Sequence, residues 1–288
     1  MDRHFAPRAR ALILVIGLCA WSQAWSWGPE GHSIVAEIAQ RRLSAPAAAM
    51  VEQLLGRGHS LASEASWADD IRDARPETYK WHFVNIPLEA TRYDPRRDCR
   101  YDAQGGDCVV AEIERLRSAL RCAPTMALKR EALRFAVHFV GDIHQPLHTV
   151  LDERGGNDIR VVVRIDELKC TPGCRTTRFR TNFHALWDQT LIAATTWSWG
   201  AYVRRLENGW LKSPEAQGAA DGGSPAQWAT QTHAVARTMW RMLAADRVVD
   251  DAYYARALPA LDRQLGLAGI RLARFLNDAY ASAACPLK

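Results

Sequence analysis

Two segments of this chain each place a histidine four residues before an aspartate, and that spacing limits how either segment can fold. In "RFAVHFVGDIHQPLHT" the pair is His138 and Asp142; in "NFHALWDQT" it is His184 and Asp188. Positions i and i+4 share one face of a helix, so both segments read as helices that turn two ionisable groups to the same side. Pro146 has no N–H to donate and crowds the preceding turn, so the first helix ends before it. His148 can then point inward from just beyond the end. Alone, either pair is most often a surface hydrogen bond or a satisfied core histidine.

More residues of the same chemistry lie elsewhere: Asp69 in "SWADDIR", His82 in "KWHFVNIP" and His32 in "AWSWGPEGH". Five of the eight histidines beyond position 26 fall in such motifs. His59, His144 and His233 are left over and read as structural or surface residues. A set of histidines and carboxylates with few free thiols suits zinc.

The N-terminus carries an export signature. Arg3, Arg8 and Arg10 precede the apolar run "ALILVIGLCAW", and Ala24-Trp25-Ser26 supplies small residues on either side of Trp25. Spanning a bilayer takes about 20 apolar residues, so this run reads as a secretory signal cleaved before Trp27. The expected mature chain is 27–288, one domain, with 34 basic and 31 acidic side chains and a net charge of +3. That mild excess is compatible with a polyanionic substrate and is weak evidence for one.

Six cysteines remain after cleavage, an even number that suits disulfides in an exported protein. Cys99–Cys108 and Cys170–Cys174 would each close a short turn-rich loop, which leaves Cys122 with Cys285. The double Cys-x-x-Cys spacing of a thiolate zinc site is absent.

Apolar periodicity is helical through most of the chain. "SIVAEIAQRRL" and "PAAAMVEQLLG" open a series of helices that continues at about 107–121, 126–144, 183–193, 225–245 and 251–280. Only "NDIRVVVRI" and "RTTRFR" read as strands, a hairpin. "SPEAQGAADGGSP" (213–225) reads as a surface loop. The expected fold class is mainly α, a single helical domain with a small β-hairpin.

The ordered series "WGPEGH", "SWADDIR", "HFVNIP", "HFVGDIHQPLH", "GGND" and "NFHALWD" resembles the zinc-dependent single-strand-specific nucleases and 3′-nucleotidases of fungi, plants and bacteria. The resemblance runs from Trp27 to the C-terminal helices. It implies the fold shared with the zinc phospholipases C and three zinc ions per chain. Carried over by motif, one zinc takes Asp69, His82, His138 and Asp142, and a second takes His148, His184 and Asp188. The third takes His32, the bridging Asp142, and Trp27 through its α-amino nitrogen and carbonyl oxygen. A peptide nitrogen has no lone pair to give a metal, whereas a freed α-amine does, so cleavage before Trp27 would complete the site.

The resemblance further implies an exported phosphodiesterase, periplasmic or secreted and monomeric. It would cleave single-stranded DNA and RNA to 5′-phosphorylated products, and also act on 3′-nucleotides, through a hydroxide bridging two zincs. Asp69, Asp142 and Arg72 are its implied catalytic residues, with Arg72 on a phosphate oxygen; an ion pair with Asp69, Asp70 or Asp73 is the alternative for Arg72. Phe83 matches a position that stacks on a base, with core packing as its alternative. Asn85 and Arg154 stand where fungal relatives have an Asp and an apolar residue of the same base pocket. Asn157 would line the cleft or form a turn. No membrane insertion is expected after cleavage. Two other functions fit part of this pattern: a zinc phospholipase C, and a non-catalytic protein stabilised by zinc. The phospholipases end the second helix pair in Glu rather than Asp and have a longer gap between the N-terminal Trp and the first His. Both features favour the nuclease.

Overall fold

Short polar residues start the helices of this chain. The computed structural model describes residues 27–102, 106–166, 178–219, 222–281 and 285. Seven helices of ten residues or more occur among them: α1 (Pro29–Gln40), α2 (Ala45–Leu55), α3 (Val109–Cys122), α4 (Met126–Asp142), α5 (Trp199–Asn208), α6 (Pro225–Met242) and α7 (Asp251–Tyr280). Side-chain oxygens of Ser44, Thr125, Ser198, Ser224 and Asp250 each accept a first-turn N–H, at α2, α4, α5, α6 and α7. These contacts satisfy donors that a helix start would otherwise leave open. At α6 the Gln227 side chain returns the favour to the Ser224 N–H, closing a capping box.

Helix α4 is the inner element. Every residue from Phe135 to Asp142 is buried, so its apolar face is a full circumference rather than a stripe. Helices α1, α3 and α7 pack around it. The buried set Ile34, Val35, Ile38, Leu133, Phe139, Leu265 and Leu272 belongs to one continuous core.

Beside the helices lies a three-stranded sheet, order β2-β1-β3: β1 (Arg160–Arg164), β2 (Arg178–Asn182) and β3 (Val248–Asp250). Strand β1 pairs antiparallel with β2 and parallel with β3. Val161 and Val163 face the core while Arg160 and Arg164 face outward, the two-residue alternation of a sheet with one face covered.

The mainly α class with a small hairpin is what the chain adopts, with corrections in detail. The hairpin's second strand, 178–182, reaches two residues beyond the expected 175–180, and residues 175–177 lie outside the described residues. Strand β3 is too short to stand out; helix α5 is not among the expected helices although Trp199, Tyr202, Val203 and Leu206 recur at helical spacing. The segment 213–225 holds a short helix, Pro214–Gly218, capped by Ser213. The stretch 183–193 is not one α-helix. A π-helical turn, Leu186–Thr190, separates two short α-helical pieces. Disulfides join Cys99 to Cys108 and Cys122 to Cys285; Cys170 and Cys174 lie outside the described residues, as does the 1–26 leader. Among the described residues, no helix is long and apolar enough to cross a membrane.

Candidate metal centre and adjoining cleft

Four side-chain atoms converge at the C-terminal end of α4. His138 and Asp142 come from α4 itself, and His82 closes the 3-10 stretch Pro76–His82. Asp69 belongs to the one-turn helix Trp67–Asp70. His82 Nδ1 stands 3.1 Å from both His138 Nε2 and Asp142 Oδ2, and 3.5 Å from Asp69 Oδ1. His138 Nε2 is 3.1 Å from Asp142 Oδ2 and 3.6 Å from Asp69 Oδ1. Four ligands at zinc bond lengths of 2.0–2.1 Å in a tetrahedron are separated by about 3.3 Å. The five separations have that size; Asp69, His82 and His138 form one group whose donor atoms all lie within 4.8 Å of one another, and His32, His138 and Asp142 form an adjoining one, so His138 and Asp142 link two sets of donors suited to a small cation.

Asp142 divides its carboxylate. Oδ2 belongs to the group just described, while Oδ1 is 3.4 Å from His32 Nε2 and 3.5 Å from His148 Nδ1. His32 lies against α4 because Gly141 has no side chain: a Cβ there would stand 2.8 Å from His32 Nδ1. Trp27 is fully buried and donates its indole N–H to the Gly141 carbonyl at 2.9 Å. The following residue donates its own N–H to the Asp188 carbonyl at 3.0 Å. Residue 27 is thereby held between the two helix-borne pairs.

A further group comprises His148, His184 and Asp188, whose donor atoms lie within 4.8 Å of one another. His184 Nε2 is 3.5 Å from Asp188 Oδ2, and the His148 and His184 rings are nearly parallel at 5.0 Å. The π turn carries Asp188, as insertions of this kind often do at functional sites.

Main-chain carbonyls orient the imidazoles. His138, His148 and His184 donate Nδ1–H to the carbonyls of Ala65, His82 and Gly155 at 2.7, 2.8 and 2.7 Å. That leaves Nε2 as the lone-pair nitrogen, the arrangement typical of metal-binding histidines. His82 is reversed: it turns Nδ1 inward, and its buried Nε2 has no hydrogen bond. Gln145 fixes the other carboxylate, donating Nε2–H to Asp188 Oδ1 while its own oxygen accepts Leu147 N–H.

The electrostatics ask for positive charge at the centre. Burial pulls His32 down to about 4, reinforced by His138, and His184 down to about 3, reinforced by His148. Burial likewise lowers His82 and His148. These four are therefore neutral, the ligand form. Burial would raise Asp142, yet His138 and His148 hold it well below the usual carboxylate range; Asp69 is lowered against burial by His138 and His82. His138 is the exception: burial would lower it, but Asp142 and Asp69 lift it to about 9. A proton on that ring supplies the charge that a cation would otherwise bring. Asp188 is raised well above the usual range, first by burial.

An extended strip adjoins the centre. Residues 83–86 run extended beside 148–151, with Val84 N–H donating to the His148 carbonyl and Leu151 N–H to Ile86. Val84 and Ile86 are buried, and the alternate residues Phe83 and Asn85 are half-exposed. Tyr79, 54% exposed, meets Phe83 edge to face at 5.6 Å. Arg72 is nearly buried, 3.7 Å from Asp69 Oδ1, with its guanidinium 6.0 Å from the Tyr79 ring centre.

A turn of the wrong hand lies beside His184. Glu153, Arg154, Gly155 and Gly156 have φ of 48°, 51°, 62° and 81°. Consecutive left-handed residues are costly for residues with a Cβ. A Cβ on Gly155 would stand 2.6 Å from the Leu147 carbonyl, so the turn brings the chain close enough for the Gly155 carbonyl to hold His184. Arg154 projects outward and pairs with Asp158 at 2.6 Å. Asn157 donates Nδ2–H to the Arg154 carbonyl at 2.8 Å, the turn-forming contact.

The structure thus brings together His32, Asp69, His82, His138, Asp142, His148, His184 and Asp188, with Trp27 against them and Arg72 at their edge. Phe83, Asn85, Arg154 and Asn157 lie along that strip and that turn. His144 and His233 are buried and bonded to main-chain carbonyls, and His59 is exposed beside Glu64. The sequence pattern does not single out Tyr79 or Gln145. Tyr79 lies one helical turn before Phe83, and Gln145 sits between two motif residues; those positions are the only signals.

A mainly helical protein with five histidines and three aspartates at the end of one buried helix has the donor set of a metal-dependent hydrolase. The model of the S1/P1 nuclease family matches residues 27–281. Endonuclease 4 of Arabidopsis thaliana is 30% identical over 301 residues, covering 95% of this chain and 95% of that protein. Endonuclease 2 of the same plant is 29% identical, over 93% and 96%. Nuclease P1 of Penicillium citrinum is 29% identical over 287 residues, 89% of this chain and 98% of that protein. The chain belongs to the S1/P1 nuclease family.

Proposed function

We propose that this protein is an exported, monomeric, zinc-dependent phosphodiesterase that cleaves single-stranded DNA and RNA to 5′-phosphorylated products and dephosphorylates 3′-nucleotides. The observation that carries this reading is the convergence of three adjoining groups of histidines and aspartates, each with its donor atoms within 4.8 Å of one another, within a chain whose family is one of nucleases. Asp69, His82, His138 and Asp142 would hold one zinc; His148, His184 and Asp188 a second; His32, Asp142 and Trp27 a third. Bound zinc supplies Lewis-acid polarisation of a phosphoryl group and activates water at neutral pH.

The chain's own residues do the rest. Asp142 faces two groups with its two oxygens and ties their geometry together. Arg72, close to Asp69, is placed to meet a phosphate oxygen with a charge-assisted hydrogen bond. Phe83 offers a face to an unpaired base, and stacking of this kind tolerates any base. Tyr79, edge-on to Phe83, restricts how that base enters. Asn85 and Asn157 supply polar edges, and Arg154 supplies positive charge. Export and maturation before Trp27 are supported by the leader's composition, by the two disulfides and by a family match that begins at Trp27.

Purified mature protein tests the whole reading. Metal analysis should find close to three zincs per chain, and denatured DNA should be hydrolysed while phosphatidylcholine is not. Full activity with one zinc or none would overturn the site assignment, and turnover of phosphatidylcholine alone would move the chain to phospholipase chemistry.

A further inference from the structure

The hairpin that emerges beside the metal centre carries an unusual outer face. Cross-strand partners in an antiparallel pair point to the same side of the sheet. The register pairs Arg160 with Asn182, Val162 with Arg180 and Arg164 with Arg178. Arg160, Arg164, Arg178 and Arg180 therefore share one face, and all four are exposed. Arg164 and Arg178 stand directly opposite each other, a like-charge pairing that costs stability.

Edge protection accounts for Arg178 and Arg180 on the edge strand β2 but not for the other two. Charged residues do guard exposed sheet edges, but β1, which carries Arg160 and Arg164, is the central strand of β2-β1-β3. Local pairing absorbs the charge at the outer end but not along the rest of the face. At the outer end, Arg164 and Arg178 border a depression of about 450 Å³ with Asp166, Asp250 and Asp251. Arg164 is the cross-strand partner of Asp250 on β3, an opposite-charge pair, so the charge left over is that of Arg160 and Arg180. At the inner end, Asp158 is held by the Arg154 guanidinium. Among the described residues, no ion pair involves Arg160 or Arg180.

The root of the hairpin is continuous with the centre. Asn182 accepts the Ala185 N–H and so caps the turn that presents His184, and Phe183 N–H donates to the Ile159 carbonyl. Arg160 follows two residues after Asp158, next to Asn157. From there β1 runs for about 13 Å at the usual rise per strand residue.

We propose that this arginine face is an extended binding site for the phosphodiester backbone of single-stranded nucleic acid, holding the strand beyond the nucleotides that occupy the metal centre. The inference rests on the nuclease reading above and adds a site outside its catalytic residues. Guanidinium groups engage phosphates without reading sequence, so the site should favour length over base identity.

The test compares mature metal-loaded enzyme with its Arg160→Gln/Arg180→Gln variant on a dinucleotide and on a single-stranded 20-mer, across 50–200 mM NaCl. A second double variant, Arg41→Gln/Arg57→Gln on the helical body, controls for net charge. On single strands the affinity falls with salt at a slope of about −0.7 per phosphate engaged. The hairpin variant should raise KM for the 20-mer about tenfold at 50 mM and flatten its salt slope by about 1.4. Its kcat/KM on the dinucleotide should be unchanged, and the control pair should behave as wild type on both. An unchanged KM and slope on the 20-mer, or an equal change in the control pair, would overturn the proposal. Should wild type cleave neither substrate, the nuclease reading itself fails. Fluorescence anisotropy with a phosphorothioate 20-mer then judges the hairpin alone: a slope identical in wild type and the hairpin variant sinks it.

Discussion

The imidazole of His32 lies flat on that of His138, with ring centres 3.9 Å apart and 16° between the planes. One ring comes from the first helix of the described chain and the other from the buried helix that ends at Asp142. Gly141 makes the stacking possible. In an ordinary helix Gly→Ala is stabilising by about 0.5–1 kcal/mol, but here the added methyl would press on His32 Nδ1. Gly141→Ala should keep helix content while releasing about one metal per chain and lowering activity by roughly 10–100-fold, the range for disturbing a metal ligand's support. Metal analysis beside circular dichroism checks this; retained metal and activity would mean that His32 has room to move.

Asp142→Asn should be among the most damaging single changes. Its oxygens face His82 and His138 on one side and His32 on the other, so one lost charge weakens two groups. Loss of more than about a hundredfold in activity is expected, beyond the 10–100-fold typical of outer-shell partners, with two metals weakened together. Stepwise loss of a single metal would contradict the bridging role.

Mature protein starting at Trp27 should differ sharply from the same protein carrying an extra Gly-Ser in front. Trp27 is fully buried and anchored through its indole to Gly141, so the fold should survive the extension. The extended form should bind about one zinc fewer and lose most activity, because its nitrogen is then an amide. Proteolytic regeneration of Trp27 should restore both. Equal zinc and turnover in the two forms would reduce Trp27 to packing.

Arg154 offers a trade of stability against substrate. A side chain at φ 51° and ψ 52° costs about 1–2 kcal/mol relative to glycine. Arg154→Gly should therefore raise the melting temperature by about 2–4 °C per kcal/mol recovered in a domain of this size. It should also raise KM for single strands. A variant that gains stability with KM unchanged would remove Arg154 from the substrate site.

His233 sets Nδ1 2.9 Å from the Thr149 carbonyl and Nε2 3.1 Å from the Ala90 carbonyl, so the neutral ring donates to one of them and the protonated ring to both. Its pKa lies below the ordinary value, first because of burial, then opposed by those carbonyls, with Arg237 lowering it further. The unfolded chain takes a proton there more readily than the folded one. The histidine's contribution is thus present above about pH 6.5 and lost as pH falls below it. His233→Ala should keep zinc and most activity, lower stability by about 1–3 kcal/mol at neutral pH, and flatten the decline toward acid. A variant as inactive as Asp142→Asn while still folded would show that the choice of histidines is wrong.

What could be read from the residues, and what could not, divides along a physical line. Spacing alone put His138 with Asp142 and His184 with Asp188, because helical periodicity fixes side-chain direction. The carbonyls of Ala65, His82 and Gly155 that aim three of the rings left no trace, since every residue has a carbonyl. The π turn at Leu186–Thr190 escaped because its extra residue hardly alters the apolar pattern. Strand β3, three residues long, exists only through its pairing with β1. Tyr79 lies one 3-10 turn before His82, a spacing too common to mark it, and only folding sets it edge-on to Phe83.

The bond between Cys122 and Cys285 joins the end of α3 to a residue just beyond α7, 163 positions away. It closes residues 122–285 into a covalent ring that contains His138, Asp142, His148, His184 and Asp188. A single peptide-bond cut inside the ring, for instance beside the left-handed Gly222 and Gly223, opens it without parting the pieces. Such a nicked molecule would migrate as one species until reduced. An enzyme released among proteases would then survive a first cleavage with its histidines and aspartates still on one connected frame.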